Sequence, residues 1–175
     1  MNKTIVLHTI MLMGFVLLSA CTTNMAVETN SETVVSTAAE IADFDLPAGY
    51  QADFSARFEG YAIASFRPDD DHSHLYLIQS TEQADGEKLA TALEKLVPGS
   101  SDSQTRTRII ETRPIVIRGQ STELILSEGI NSDGESYRQA MTAFQGKGGT
   151  ALFVFSGPLS TWDQGSVDAL LACIQ

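Results

Sequence analysis

The chain opens on an apolar run. Thr4 to Leu18 is mostly Ile, Val, Leu, Met and Phe, interrupted by His8 and Thr9, and Met1-Asn2-Lys3 places one positive charge ahead of it. The run is too short for a comfortable membrane span of about 20 residues. A basic start, an apolar centre and small residues at Ser19-Ala20 have the layout of a secretory signal. Residues 22–42 then contain no aromatic side chain and are dominated by Thr, Ser, Asn, Ala and Glu. No hydrophobic period is sustained there, so the stretch is expected to be a disordered spacer.

From Phe44 the texture changes. Leu46-Pro47-Ala48-Gly49-Tyr50 predicts a turn leading into a strand. Arg57 to Phe66 mixes β-formers with small residues and reads as one strand, and His74 to Ser80 as the next. The period then lengthens. Leu89, Ala92, Leu93, Leu96 and Val97 recur at helical spacing, with Asp85 as cap and Pro98-Gly99 as stop.

Four further strands are predicted: Thr107 to Ile117, Leu124 to Leu126, Tyr137 to Gln145 and Ala151 to Phe155. They are separated by turns at Gly119, Asn131-Ser132-Asp133-Gly134 and Gly146-Lys147-Gly148-Gly149. Gly157-Pro158 is expected to break the last strand. Val167, Leu170, Leu171 and Ile174 then form the stripe of a closing helix, capped by Ser160, Thr161 or Asp163. The expected fold class is α+β, a mainly antiparallel sheet with two packed helices in the order β-β-β-α-β-β-β-β-α. The expected division is 1–20 signal peptide, 21–42 lipidated N-terminus and spacer, and 43–175 folded domain.

Two resemblances sharpen this reading. Leu18-Ser19-Ala20-Cys21 resembles the lipobox of bacterial lipoproteins at all four positions. The resemblance implies cleavage before Cys21, diacylglycerol on its thiol and acylation of the new amino group. One acyl chain anchors only marginally at about 0.8 kcal/mol per buried methylene, whereas two or three on one residue hold firmly. Thr22 stands where an aspartate often signals inner-membrane retention, so the outer membrane facing the periplasm is the expected address if the source is Gram-negative.

The second resemblance is to the PsbP-like superfamily, over about residues 44–175. It rests on the element order, the Leu46-Pro47-Ala48-Gly49-Tyr50 entry, the late apolar strand with Gly157-Pro158, and the Trp162-Asp163 helix start. It implies a mostly noncatalytic protein with a binding or assembly role.

Charge bears on partners. Losing residues 1–20 removes Lys3 from the 11 basic side chains, leaving 10 against 22 acidic ones, a formal −12. Such a charge disfavours nucleic acid and gives no attraction to anionic lipid, so membrane attachment has to come from the covalent lipid on Cys21. With Cys21 acylated only Cys173 remains, and no intrachain disulfide can form.

The densest polar cluster is Asp69-Asp70-Asp71-His72-Ser73-His74. His72, His74, Asp70 and Asp71 are candidate metal ligands, because carboxylates and imidazoles can share a divalent ion. The competing reading is a solvated loop between two strands. The glycine and distal glutamate of a calcium loop are missing. No Gly-x-Ser-x-Gly occurs, and no catalytic residue is assigned. Arg106, Arg108, Arg113 and Arg118 gather positive charge in an acidic protein and are candidates for an anionic envelope partner; the alternative is pairing with Glu111, Glu123 and Glu128 across strands. Trp162 is expected as a packing staple and Cys173 as an inert, half-buried thiol. The leading expectation is a membrane-anchored, noncatalytic binding or assembly module without a cofactor. A metal-binding protein or metal-dependent enzyme is the first alternative, and a passive surface lipoprotein the second.

Overall fold

The computed structural model describes residues 26–69, 72–82, 84–96, 107–131 and 134–175. One eight-stranded sheet runs through it, every neighbouring pair antiparallel. In chain order the strands are β1 (Ala26–Glu28), β2 (Tyr50–Phe58), β3 (Tyr61–Pro68), β4 (His74–Ser80), β5 (Arg108–Ile117), β6 (Gln120–Ile130), β7 (Ser136–Gln145) and β8 (Thr150–Pro158). Their order across the sheet is β1-β2-β3-β4-β8-β7-β6-β5. The helices are α1 (Ser31–Ile41), α2 (Gly86–Leu96) and α3 (Gln164–Ala172), with a 3-10 turn at Leu159–Thr161. This is the expected α+β class with a mainly antiparallel sheet, and it carries one helix and one strand more than the pattern predicted. Among the described residues no helix is long and apolar enough to cross a membrane.

The central strands are apolar on both faces because helices cover both. Leu75 and Leu77 of β4 join Phe153 and Phe155 of β8 beneath α1 and α3, in a cluster with Val34, Ile41, Val167 and Leu170. Their neighbours Tyr76, Ile78, Leu152 and Val154 face the other way and pack with Leu89, Ala92 and Leu93 of α2. A period of two along each strand thus serves two cores. Val97 and the side chain of Leu96 lie outside the described residues. Asp85 caps α2 as expected, its carboxylate accepting from Lys88 N at 2.9 Å. Asp163 caps α3, accepting from Gly165 N and Ser166 N. The Ser166 side-chain hydrogen bond, then the backbone ones, hold the Asp163 carboxyl below its usual range.

The spacer expected over 22–42 is corrected from Ala26 onward: β1 pairs with β2, and α1 is a packed helix. Asn30 caps it, its side chain accepting from Glu32 N at 3.0 Å and Thr33 N at 3.2 Å. Val34, Thr37, Ala38 and Ile41 line its buried face, and the Thr37 hydroxyl donates back to Thr33 O at 2.9 Å. The β7–β8 turn holds the other end. Lys147 N donates to Ile41 O at 2.7 Å, and its ammonium donates to Ala39 O at 2.9 Å and to Asp43 Oδ1 at 2.6 Å. A cation at carbonyls left open by the last helical turn is favourable. Gly146 is required here, since a Cβ would meet Gln79 Nε2 at 2.2 Å and Ile41 O at 2.8 Å.

Two other boundaries differ. Arg57 to Phe66 is not one strand: Glu59 (φ 44°) and Gly60 (φ 79°) turn the chain between Phe58 and its partner Tyr61. Both φ values are positive, as a two-residue hairpin turn of the primed type demands. Gly157-Pro158 does not break β8 but forms its last two residues.

Candidate functional site

The antiparallel registers give the sheet two ends. The pairs Ala26↔Arg57, Phe58↔Tyr61, Gln79↔Ala151, Gln145↔Thr150 and Ile117↔Gln120 lie at the end where the chain enters. The pairs Tyr50↔Pro68, His74↔Ser156, Tyr137↔Pro158 and Ile130↔Ser136 lie at the opposite end. The two histidine candidates, His72 and His74, lie at this far end. A cavity of about 560 Å³ there is lined by His72, Glu135, Ser136, Leu159, Ser160 and Thr161 among others. One imidazole, one carboxylate and three hydroxyls surround it beside an apolar Leu159. Such a set can hydrogen-bond a polar ligand or a protein loop.

His74 opens β4 and is half-buried. Its ring stacks on Tyr76, with centroids 5.9 Å apart and planes 16° from parallel. Among the described residues, His74 Nδ1 is the buried side-chain nitrogen or oxygen left without a hydrogen-bond partner. Burial, and after it the negative charge of Asp53, push the Tyr76 hydroxyl well above its usual range, so the phenol stays protonated and is a poor nucleophile. Asp53 accepts from Ser65 Oγ at 3.3 Å and lies 3.9 Å from Arg67 Nε.

The two histidines of the expected metal cluster have different surroundings. His72 lies in the cavity wall, while His74 is held against Tyr76 within the sheet. Asp70 and Asp71 lie outside the described residues, as do Cys21 and Arg106. Among the described residues no three His, Cys, Asp or Glu side chains converge.

The described arginine candidates have intramolecular partners. Arg108 lies 3.7 Å from Glu128. Arg113 pairs with Asp168 of α3 and lies 3.7 Å from Glu111. Arg118 sits in the β5–β6 turn (φ 51°) and donates to Gln145 O at 2.8 Å. Arg138, not singled out by sequence, pairs with Glu128 and lies 5.6 Å from the Trp162 ring centroid. Trp162 packs on Phe155 with centroids 5.6 Å apart, the staple expected of it. Cys173 is half-buried, its thiol directed at Ala169 O.

β5 ends the sheet and exposes Ile109 at 64% and Val116 at 70%. Its outer edge is blunted. Arg118-Gly119 is a two-residue turn, so Ile117 and Gln120 form a hydrogen-bonded pair and Pro114↔Glu123 a non-bonded one. Pro114 therefore costs no ladder bond to β6 and removes an outward-pointing donor, which discourages another strand from pairing there.

The cavity residues Glu135, Ser136, Ser160 and Thr161 were missed by sequence reasoning. The Asn131–Gly134 turn and Gly157-Pro158 mark their neighbourhood, but only the β7–β8 and β4–β8 pairings bring them together with His72.

No family model and no curated protein matches the chain. Among solved structures it is similar to the solution structure of cyanobacterial PsbP (CyanoP) from Synechocystis sp. PCC 6803, at 12% sequence identity and a TM-score of 0.44, over 90% of this chain and 95% of that one. A likeness of this size says nothing about activity or partner.

Proposed function

We propose that the chain is a lipid-anchored, noncatalytic binding or assembly module of the bacterial envelope, held in the membrane by Cys21 and engaging an envelope protein. The observation that carries this is the motif Leu18-Ser19-Ala20-Cys21, which closes an apolar run and leaves four residues before the first folded strand begins at Ala26. The far-end cavity supports a binding role through its hydroxyls, imidazole and carboxylate. Cys21→Ser is expected to lose its acyl mass and to leave the membrane fraction for the soluble one or remain unprocessed. Equal membrane retention of the variant in detergent-free fractions would overturn the anchor.

The bare Nδ1 of His74 favours a second reading, a metal-binding protein that uses His72 and His74. Calorimetric titration of the soluble domain with zinc separates the two. Under the leading reading no stoichiometric binding appears. A stoichiometric site in the wild type, lost in the His72→Ala, His74→Ala double variant, would establish the second.

A further inference from the structure

We infer that the domain is held close against the bilayer by the end of the sheet at which the chain enters, with the His72 cavity presented away from the lipid. This rests on the acylation of Cys21 proposed above and adds an orientation to it.

The leash is short. Only residues 22–25 separate Cys21 from β1. A chain gains at most about 3.6 Å per residue, so Ala26 lies within about 18 Å of the lipidated residue. A spacer reaching to residue 42 would have allowed roughly 80 Å.

Beyond β1 the leash cannot lengthen by peeling. β1 is paired to β2 through Ala26↔Arg57, Val27↔Ala56 and Glu28↔Ser55. Behind it α1 is fixed by fully buried Val34 and Ile41, by the Lys147 clamp, and by the 2.6 Å ion pair from Glu40 to Arg57. Freeing the exposed β1 gives up only its pairing to β2, but releasing chain beyond Asn30 means dissolving part of the core.

β1 runs from Ala26 toward the far end, antiparallel to β2. The anchor therefore meets the domain on the side of the Glu59-Gly60, Arg118-Gly119 and Gly146–Gly149 turns. The ten residues of β7 separate that side from the far end, which at about 3.4 Å per residue is about 34 Å. The cavity beyond Ser136 thus opens toward the aqueous space, where a partner would meet it.

The test uses full-length lipidated protein in phosphatidylethanolamine–phosphatidylglycerol vesicles carrying a headgroup quencher. Cys173→Ser removes the free thiol, and a fluorophore is placed on Glu59→Cys or on Ser160→Cys. Quenching at position 59 is expected to exceed that at position 160 several-fold. Inserting about 20 Gly and Ser residues after Thr23 should abolish the difference, since a flexible chain of that length frees the domain to turn. Intact mass, measured first on each sample, reports acylation of Cys21. Acylated protein with equal quenching at the two positions overturns this orientation and leaves the anchor standing. Protein with no acyl mass on Cys21 overturns both.

Discussion

Removing residues 22–42 is expected to abolish the cooperative unfolding transition of the soluble domain. The polar, aromatic-free texture of this stretch predicts the opposite, a dispensable spacer from which residues 22–40 can be deleted with the melting temperature nearly unchanged. The structure reverses that expectation. Val34 and Ile41 are fully buried and Ala38 nearly so, over Ala64, Phe66, Leu75 and Leu77 of the sheet. Full burial of one large aliphatic side chain contributes roughly 1.5–3 kcal/mol, and a domain of this size is stable by only about 5–15 kcal/mol. The deletion removes two such side chains and exposes the sheet residues beneath them. It also takes Ala39 O from the Lys147 ammonium and leaves its other acceptor, Asp43, at a cut chain end.

A graded version separates packing from gross truncation. Ile41→Ala is expected to cost about 2–5 kcal/mol in denaturant unfolding. Val35→Ala, on the exposed side of the same helix, is expected to stay within about 0.5 kcal/mol. A deletion product that melts like the intact domain would show that α1 does not belong to the core.

The missed helix shows where a hydrophobic pattern loses its power. The buried positions of α1 fall at i, i+3, i+4 and i+7, the spacing that identified α2 and α3. Two of those four are Thr37 and Ala38, which carry little apolar weight, and Val35 puts a large apolar residue on the wrong face. The local signals were sound: Asn30 at the cap and Glu32 in the first turn suit a helix start. By contrast, α3 announces itself because its buried side chains are large, and β4 and β8 because both faces are covered.

The turn at Glu59-Gly60 was hidden for a related reason. Phe58 and Tyr61 flank it with aromatic rings 5.2 Å apart, so β-forming residues run through the reversal. At the candidate site, His72 was legible as chemistry but not as a place. The residues that share its cavity lie more than 60 positions away in sequence and meet it only through strand pairing. Each described arginine of the expected group has a partner within the chain, and those pairings depend on strand and helix contacts that the sequence pattern does not display.

The second large effect lies at the other terminus. A chain ending at Trp162 is expected to unfold or aggregate. It lacks Val167 (0% exposed), Leu170 (1%), Leu171 (8%) and Ile174 (4%), which complete the same core cluster as α1. It also lacks a backbone seam joining the two terminal segments. Gln175 N donates to Asp43 O at 2.7 Å, Asp43 N to Gln175 O at 3.2 Å, and Asp45 N to Cys173 O at 3.4 Å, around the bridge between Phe44 and Ile174. α1 and α3 are thus sewn together along residues that follow one and end the other, so the core beneath them closes only when both are present. Leu170→Ala is expected to cost about 2–5 kcal/mol, and exposed Ala172→Ser to stay within about 0.5 kcal/mol. Because the two helices share one cluster, Ile41→Ala and Leu170→Ala combined should depart from the sum of the single effects by about 0.5 kcal/mol or more. Denaturant unfolding of the two single variants, the double variant and the truncation checks this. Strict additivity would mean that the helices stabilise the sheet independently, and a cooperative, wild-type-like transition in the truncated chain would mean that α3 is not part of the core at all.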